Sequence, residues 1–526
     1  MSSAPGHVPL QQRGEATTDA AAVTICMTPD ADAISCRQGT VKPTHRIDMK
    51  RCNTGLTAVV LIVGHLFAAG SFITARAAAS AATLPAGATV DSRQQLAAEA
   101  AVWGMPIVSV DAMREAFFRD AGAAYNDIVF WSRPADWKNQ TTTPNSSSLY
   151  VYFNFNLKDG PVALDLPAAE GAGIFGSVLD AWQVPLADVG PAGEDEGKGG
   201  KYLLLPPGFK GDAPPGYIAI PSSTYNGYAL LRFSPASSSA ADVARTIGLL
   251  KRLRLYPLAH AGKPPRQRFI DMDGKVFDGI VRYDESFYAR LARMVSEEPE
   301  SPGDAAITAR ISGLGIGRGK PFDPDPATRA ALRAGVQQAH AAFISTWRAG
   351  ARPWWPGSRW GGNLPSTVGA KTGFSFRTDG HLETDARGAF YFLAYAPPAR
   401  LGKATAYLTS WYDATGEALG GNHSYVLHVP PNVPARQFWA VTIYDVETGG
   451  FMRGSPRINL DSYSHDMQRN ADGSVDIYFG PKAPAGKEAN WIYTTPDKDW
   501  FAAFRFYGPD KALTDRTWKL PDLVRQ

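Results

Sequence analysis

The sequence predicts a β-rich α+β protein: two β-sandwich, jelly-roll-like domains joined by a helical middle region. Three observations predict it. Strand-like segments come first, helix-like segments follow, and strand-like segments return, the order expected of separate β units with helices between them. The 51 Gly and 40 Pro, with 11% aromatic residues, point to many short strands and many turns. A hydrophobic content of 44% against 20% charged residues supplies a large core, and its length places the chain among multi-domain proteins.

The elements follow in order. Cys26, Cys36 and Cys52 all precede the run Leu56 to Ile73. Met49-Lys50-Arg51, that apolar run and the small residues Ala75 to Ala82 form the three parts of a secretory signal peptide. The expected organisation is therefore an unstructured extension or mis-assigned start over 1–48 and a signal peptide over 49–81. The N-terminal β-sandwich with a leading helix then spans 92–260, the helical middle 261–400 and the C-terminal jelly-roll-like domain 401–526. Cleavage after Ala77, Ala79 or Ala81 would leave a cysteine-free periplasmic or secreted protein with no stable membrane span. The alternative is a membrane anchor formed by an uncleaved segment 56–73. No other stretch reads as long and apolar enough to span a bilayer.

Leu96, Ala100, Trp103, Ile107, Val110 and Met113 recur at helical spacing, with Pro106 expected to kink or split that helix. Strands are expected at Leu149–Leu157, Pro161–Leu166, Ile174–Trp182, Tyr202–Leu205, Tyr217–Ile220 and Tyr228–Phe233. Helices are expected at 241–255, 284–298, 303–312 and 326–350, the last with Asp325 as N-cap and Pro326 in its first turn. Residues 352–362, RPWWPGSRWGG, read as a surface loop carrying three tryptophans. Strands return at 405–413, 424–428, 438–444, 474–479 and 501–507, with Asp472-Gly473 as a hairpin signal. No internal repeat of fixed period is found.

Several function classes are excluded or weakened. A net charge of +3 with dispersed basic residues gives no nucleic-acid footprint. There is no G-x-S-x-G elbow and no H-E-x-x-H pair. Gly197-Lys-Gly-Gly-Lys201 lacks the spacing of a phosphate loop, and Asp271-Met-Asp-Gly274 lacks the distal ligands of a calcium loop. His423 and His428 fall on opposite faces of a strand, which disfavours a shared metal. No metal site is expected, and the cofactor is unknown.

Two stretches are more characteristic. One is Thr143-Pro-Asn-Ser-Ser-Ser-Leu-Tyr150, followed by Gly199-Gly-Lys-Tyr-Leu-Leu-Leu-Pro-Pro-Gly208. The other runs from Val433-Pro-Ala-Arg-Gln-Phe-Trp439 through Ile443-Tyr-Asp445 and Asp472-Gly-Ser-Val-Asp-Ile-Tyr478. It continues through Gly480-Pro481, Ala489-Asn-Trp491 and Phe504-Arg-Phe-Tyr507 to Thr517-Trp518. Together they resemble paired bacterial families known only as domains of unknown function, 1254 at the N-terminal side and 1214 at the C-terminal side. The resemblance covers 92–260 and 405–520. It implies two jelly-roll-like sandwiches and export, and no established reaction. Ser147 and Ser148 stand where relatives usually carry an acidic residue and a threonine, and Gly173-Ile-Phe-Gly-Ser177 replaces a Tyr-rich strand.

The residues themselves suggest two functions. In the first, an exported hydrolase acts on a small molecule in a cleft between the sandwiches. Asp180, Asp413 and Asp445, at strand ends, would be catalytic, as general base or metal ligand, and Asn145, Tyr150 and Arg505 would orient the substrate. A buried Arg505 would need an acidic or carbonyl partner, for which Asp445 is a candidate. In the second, a non-catalytic protein binds a carbohydrate or other envelope ligand, with Trp182 and Trp411 stacking on it. A homo-oligomer is a further possibility, with the 352–362 loop as its contact. Convergence of the six polar residues on one pocket would favour the enzyme, and scatter would remove it.

Overall fold

In a computed structural model of the chain, the described residues are 90–237, 239–400 and 405–526. The expected signal segment 49–81 and its anchor alternative 56–73 lie outside them. Helix α1, Val90–Asp120, is one continuous helix with Pro106 inside it rather than two. Proline removes the N–H that the Val102 carbonyl would accept. At that turn Arg387 donates to the neighbouring Trp103 carbonyl at 2.7 Å. Ser92–Asp120 is long and apolar enough to cross a membrane by length and composition, which corrects the expectation that no second stretch would be. Its most apolar window is 89% buried inside the protein, so its grease is core.

The N-terminal strands are β1 Ile128–Phe130, β2 Asn139–Gln140, β3 Leu149–Asn156, β4 Val162–Leu166, β5 Gly173–Asp180 and β6 Pro185–Val189. Then come β7 Gly200–Leu205, β8 Tyr217–Pro221, β9 Asn226–Ser234, β10 Arg254–Pro257, β11 Phe269–Asp271 and β12 Phe277–Asp278. They form a six-stranded sheet, β11-β1-β3-β9-β5-β6, and a four-stranded sheet, β10-β4-β7-β8. Alternation on each strand explains the pairing of the layers. Val151, Phe153 and Phe155 of β3 meet Leu164 of β4 and Leu204 of β7 in one core, while Tyr150, Tyr152 and Asn154 face the other way. Helix α2, Ala240–Leu250, stops five residues short of expectation. Beyond it Leu253 and Leu255 enter the sandwich core and Tyr256 a separate cluster, the period of a strand rather than a helix.

Helices α3 Ser286–Glu297, α4 Ala305–Ile311, α5 Pro326–Ala349, α6 Leu364–Lys371 and α7 Thr384–Leu393 follow. Asp325 caps α5 by accepting from Thr328 N at 2.8 Å, with Pro326 in the first turn as expected. Helix α7 was not anticipated. Its Gly-Ala-Phe-Tyr-Phe-Leu run reads as strand, but every side from Arg387 to Leu393 is buried, so no period is visible. Close approaches hold these helices on α1. A Cβ on Gly335 of α5 would lie 2.5 Å from Ala97 Cβ, and one on Gly388 of α7 would lie 2.6 Å from the Val102 carbonyl.

The C-terminal strands are β13 Ala351–Pro353, β14 Gly361–Asn363, β15 Arg377–Thr378, β16 His381–Leu382, β17 Thr405–Ser410 and β18 Tyr425–Val429. They continue as β19 Ala435–Asp445, β20 Asn459–Asp461, β21 Val475–Gly480, β22 Trp491–Tyr493, β23 Trp500–Pro509 and β24 Val524–Arg525, with the short helix α8, Lys511–Thr514, before the last. The sheets are β13-β14-β17-β23-β19-β20 and β22-β21-β18-β24. Residues 352–362 are not an exposed tryptophan loop. Their ends pair as β13 and β14, the loop 354–360 between them turns inward, and Trp355 and Trp360 are buried in the C-terminal core, Trp360 donating to the Pro521 carbonyl at 2.8 Å. Asp472-Gly473 does make a turn, closed by Asn470 N to Ser474 O at 2.8 Å, but no strand precedes it and it is not a hairpin.

The two halves share one topology. In chain order β3 to β10 and β17 to β24 run through their sheets identically: six, four, six, six, four, four, six, four. The neighbours match as well, β3-β9-β5-β6 against β17-β23-β19-β20 and β10-β4-β7-β8 against β24-β18-β21-β22. Both four-stranded sheets even keep the parallel pair, β7 with β8 and β21 with β22. Traces survive in sequence. Val162-Ala-Leu-Asp-Leu-Pro167 lies opposite Tyr425-Val-Leu-His-Val-Pro430, and the cross-strand pair Asp165–Lys201 is matched by His428–Asp476 with the signs exchanged. Helices α1, α3, α5 and α7 fill a core that also takes Tyr152 and Tyr228 from the first six-stranded sheet and Tyr444 and Phe501 from the second. Each large sheet thus turns one face to its small partner and the other to the helices and the opposite half.

Candidate functional site

The outer faces of the two large sheets touch through the loop before β3. Asn145 Nδ2 donates to Tyr507 Oη at 2.6 Å, and Tyr444 Oη donates to the Pro144 carbonyl at 2.6 Å. Ser147 Oγ donates to Asp461 Oδ2 at 3.2 Å. Asn145 Oδ1 meanwhile accepts from Ser147 N at 2.8 Å, so the Pro-Asn segment is tied into a turn by the amide, as the sequence suggests.

Beside this contact stand two arginines at equivalent positions of the repeat. Arg232 on β9 lies across from Tyr150 on β3, and Arg505 on β23 lies across from Tyr407 on β17. Arg232 is half-buried. Its Nε donates to Tyr150 Oη at 3.2 Å, and the guanidinium sits over the rings of Tyr150 at 5.4 Å and Phe175 at 5.6 Å. Its two amino groups make no hydrogen bond among the described residues. Arg505 is only 5% exposed. It donates to Thr442 Oγ1 at 2.9 Å and to Tyr444 Oη, and its guanidinium lies over Tyr407 at 5.3 Å and Tyr444 at 5.4 Å.

Neither arginine has a carboxylate in ion-pair range among the described residues. Burial works against each charge, and the surrounding phenols, Tyr150, Tyr407 and Tyr507 for Arg232 and Tyr444, Tyr507 and Tyr407 for Arg505, outweigh it in the strongly alkaline range. Burial pushes Tyr507 well above the ordinary tyrosine range and raises Tyr444 too. The site thus holds two guanidinium groups, hydroxyl dipoles and π faces, and among the described residues no carboxylate in ion-pair range of either arginine. Two other buried arginines are met differently, one by carboxylates in contact and one by their field. Buried Arg114 has Asp111 at 2.6 Å and Glu297 at 2.8 Å. Buried Arg387, stacked on Trp182 at 4.9 Å, lacks a direct ion pair but lies in the field of Asp304 and Asp180, and burial lowers it to about 10.

The site opens outward through aromatic side chains. Phe175, Tyr407 and Tyr463 are 37%, 46% and 57% exposed, three of the six large apolar side chains exposed among the described residues. Phe438 stacks on Tyr507 at 3.9 Å and packs on Tyr463 at 4.9 Å, linking the rim to the interior.

The structure gathers Asn145, Tyr150 and Arg505 here and places the other expected site residues elsewhere. Asp180 ends β5 and accepts from Trp182 N, Val184 N and Ser223 Oγ at 2.9, 2.9 and 2.8 Å; burial raises it to about 6. Asp445 is its counterpart in the repeat, Asp180 facing Gly227 on β9 as Asp445 faces Trp500 on β23. Asp445 accepts from Glu447 N at 2.7 Å and lies 3.8 Å from Lys498; burial raises it and the lysine opposes the rise. It is not the partner of Arg505. Asp413 accepts from Thr415 N, Thr415 Oγ1 and Glu417 N, and these bonds outweigh burial and hold it below the usual range. Trp182 packs on Trp103 at 4.9 Å, and Trp411 stacks on Phe501 at 4.3 Å in the core. Sequence reasoning missed Arg232, Tyr407, Tyr444 and Tyr507. The available signal was an arginine inside an apolar strand, Leu231-Arg-Phe233, the same pattern as Phe504-Arg-Phe506. Among the described residues no three His, Cys, Asp or Glu side chains group as metal ligands.

Residues 125–257 match the family model described as a protein of unknown function, DUF1254, and residues 404–511 match that of a second protein of unknown function, DUF1214. The two matches fall in that order along the chain, DUF1254 on the N-terminal side. No curated protein matches the chain. Among solved structures, the VPA0106 protein from Vibrio parahaemolyticus is similar at 17% identity and a TM-score of 0.47, over 82% of this chain and 99% of that one. An uncharacterized protein from Burkholderia cenocepacia is similar at 12% identity and a TM-score of 0.37, over 83% and 94% of the two chains. None of these names an activity.

Proposed function

We propose that this protein binds a small anionic molecule between its two halves, held by Arg232 and Arg505 within the tyrosine cluster. The observation that carries the reading is the pair of guanidinium groups without a carboxylate, since a desolvated charge is costly unless a partner of opposite sign meets it. The ligand supplies that partner. Arg232 offers its two free amino groups in a planar fork suited to carboxylate or phosphate oxygens. Arg505 is fixed in place by Thr442 and Tyr444. The hydrolase reading has less support. Each of its three aspartates accepts the N–H two residues further on, the ordinary work of a turn.

The test is thermal unfolding with a panel of small anions, followed by calorimetric titration of those that raise Tm. Binding at a hundredfold excess over Kd stabilises by about 2.7 kcal/mol. Arg232→Ala should abolish the gain. A panel that stabilises Arg232→Ala as much as the wild type would sink the proposal. We also propose export, on the strength of Met49-Lys50-Arg51, the apolar run behind it and the absence of cysteine after Cys52. Cell fractionation with sequencing of the mature N-terminus tests that, and a cytoplasmic chain beginning before Met49 would refute it.

A further inference from the structure

We infer that the ligand carries two negative charges on oxygen, one matched to each half of the repeat, and an apolar body that rests on the aromatic rim. The inference rests on the anion-binding reading and goes further, to the class of anion. It begins from the duplication. Each half sets one arginine on the fourth strand of its large sheet, across from a tyrosine on the third, and turns that pair toward the other half. Tyr407, from the second half, lies in the electrostatic surroundings of Arg232, from the first, and Tyr507 senses both arginines and Tyr150 together. Hydrogen bonds place the two guanidinium groups on either side of one contact: Arg505 bonds Tyr444, Tyr444 bonds the Pro144 carbonyl, Asn145 bonds Tyr507, and five residues on Tyr150 accepts from Arg232.

Charge then decides the class. The carboxylates on the same sheets are too far to help. Asp461 lies in register with Arg505 but two strands away, about 10 Å at the ordinary strand spacing. It is already engaged by Ser147, Ser464 and Tyr463 N. Asp445 and Asp180 sit five residues along their strands, roughly 17 Å away. A monoanion would leave one of the two guanidinium groups unmatched. A dianion, whether a phosphate monoester or a compact dicarboxylate, matches both. The exposed rings of Phe175, Tyr407 and Tyr463 then have an occupant in the rest of the ligand.

The experiment is isothermal titration of the purified protein at pH 8 with four matched probes: phenyl phosphate, phthalate, benzoate and phenol. At this pH the first two are dianions, benzoate is a monoanion and phenol is neutral. The expected result is that at least one dianion binds ten times or more tighter than benzoate, with phenol weakest. Arg232→Gln and Arg505→Gln should each lower dianion affinity by a larger factor than benzoate affinity. The Arg232 variant gives the cleaner reading, because that side chain makes one hydrogen bond and its loss disturbs the fold least. Benzoate binding as tightly as both dianions would overturn this inference and leave the anion-binding reading standing. Failure of all three anions to bind would overturn both.

Discussion

The two halves of this molecule trace the same eight-strand path and use it differently. In the N-terminal half, the arginine of the repeat is half-buried, makes one side-chain hydrogen bond and is flanked across its sheet by Tyr150 and Phe175. In the C-terminal half its counterpart is buried, makes two bonds and is flanked by Tyr407 and Ala440. The cause is visible on the neighbouring strand β19, four residues beyond the position that faces the arginine. Tyr444 occupies the place that Leu179 holds in the first half, and its hydroxyl both accepts from Arg505 and reaches the Pro144 carbonyl of the opposite half. One copy of the repeat has fixed its cation. The other has left it free to meet something else. Duplication thus supplies two similar cation sites, and a few side chains leave one of them rigidly held and the other loosely held.

That division can be broken by substitution. The largest effect is expected from Arg505→Ala, which strands the Thr442 and Tyr444 hydroxyls and opens a cavity: a loss of about 2–4 kcal/mol in urea unfolding. A loss below about 1 kcal/mol would mean that Arg505 is not the anchor. Next comes Asp180→Asn, compared with Asp445→Asn. The folded protein holds the Asp180 proton up to about pH 6, whereas an unfolded aspartate releases it near 3.9. The folded state therefore binds more protons across that window, and stability falls as pH rises through it. Asp180→Asn keeps the N–H acceptor and should raise stability at pH 7 by roughly 1–3 kcal/mol, with no gain at pH 3.5. Asp445→Asn should change stability by less than about 1 kcal/mol, because Lys498 already compensates that charge. Unfolding curves at the two pH values check both, and a larger gain at position 445 would reverse the assignment.

Smaller again is Tyr444→Phe, which leaves the Pro144 carbonyl and an Arg505 N–H without their partner, at a cost of about 1–2 kcal/mol. It should also loosen Arg505, so that anion affinity drops along with Tm. The smallest effect on stability is expected from Arg232→Ala, under about 1 kcal/mol without ligand, since a half-buried side chain with one hydrogen bond contributes little. Its effect on binding should be the greatest of the set. A variant that unfolds as readily as Arg505→Ala would show that both arginines serve the fold alone.

Much of this was legible from residue pattern, and the failures have physical causes. Strands with clear alternation, such as Leu149–Asn156, were readable because one face meets a core and the other a different environment. Arg505 and Asn145 stood out for chemical reasons: a charge in an apolar strand, and an amide after proline. The same reasoning applied to Leu231-Arg-Phe233 would have found Arg232. The aspartates misled because a strand-end carboxylate looks alike whether it caps a turn or faces a cleft; only its distance to other groups separates the two. The tryptophans of 352–362 read as surface because proline and glycine surround them, yet the loop between β13 and β14 folds two of them into the core. The repeat escaped because connections of unequal length separate its corresponding strands. What it conserves is pairing order, which no fixed spacing reveals.

Helix α1 has a consequence for how the protein is made. Its buried faces are covered by α5 and α7, pressed close enough that Gly335 and Gly388 leave no room for a side chain. Synthesis delivers α1 first and those covers last. At about 5–20 residues per second, the stretch from Asp120 to Leu393 takes roughly ten seconds to a minute to emerge. For that interval a helix apolar enough by length and composition to enter a bilayer has its earlier partners on β3, β9 and α3 but still lacks its last cover.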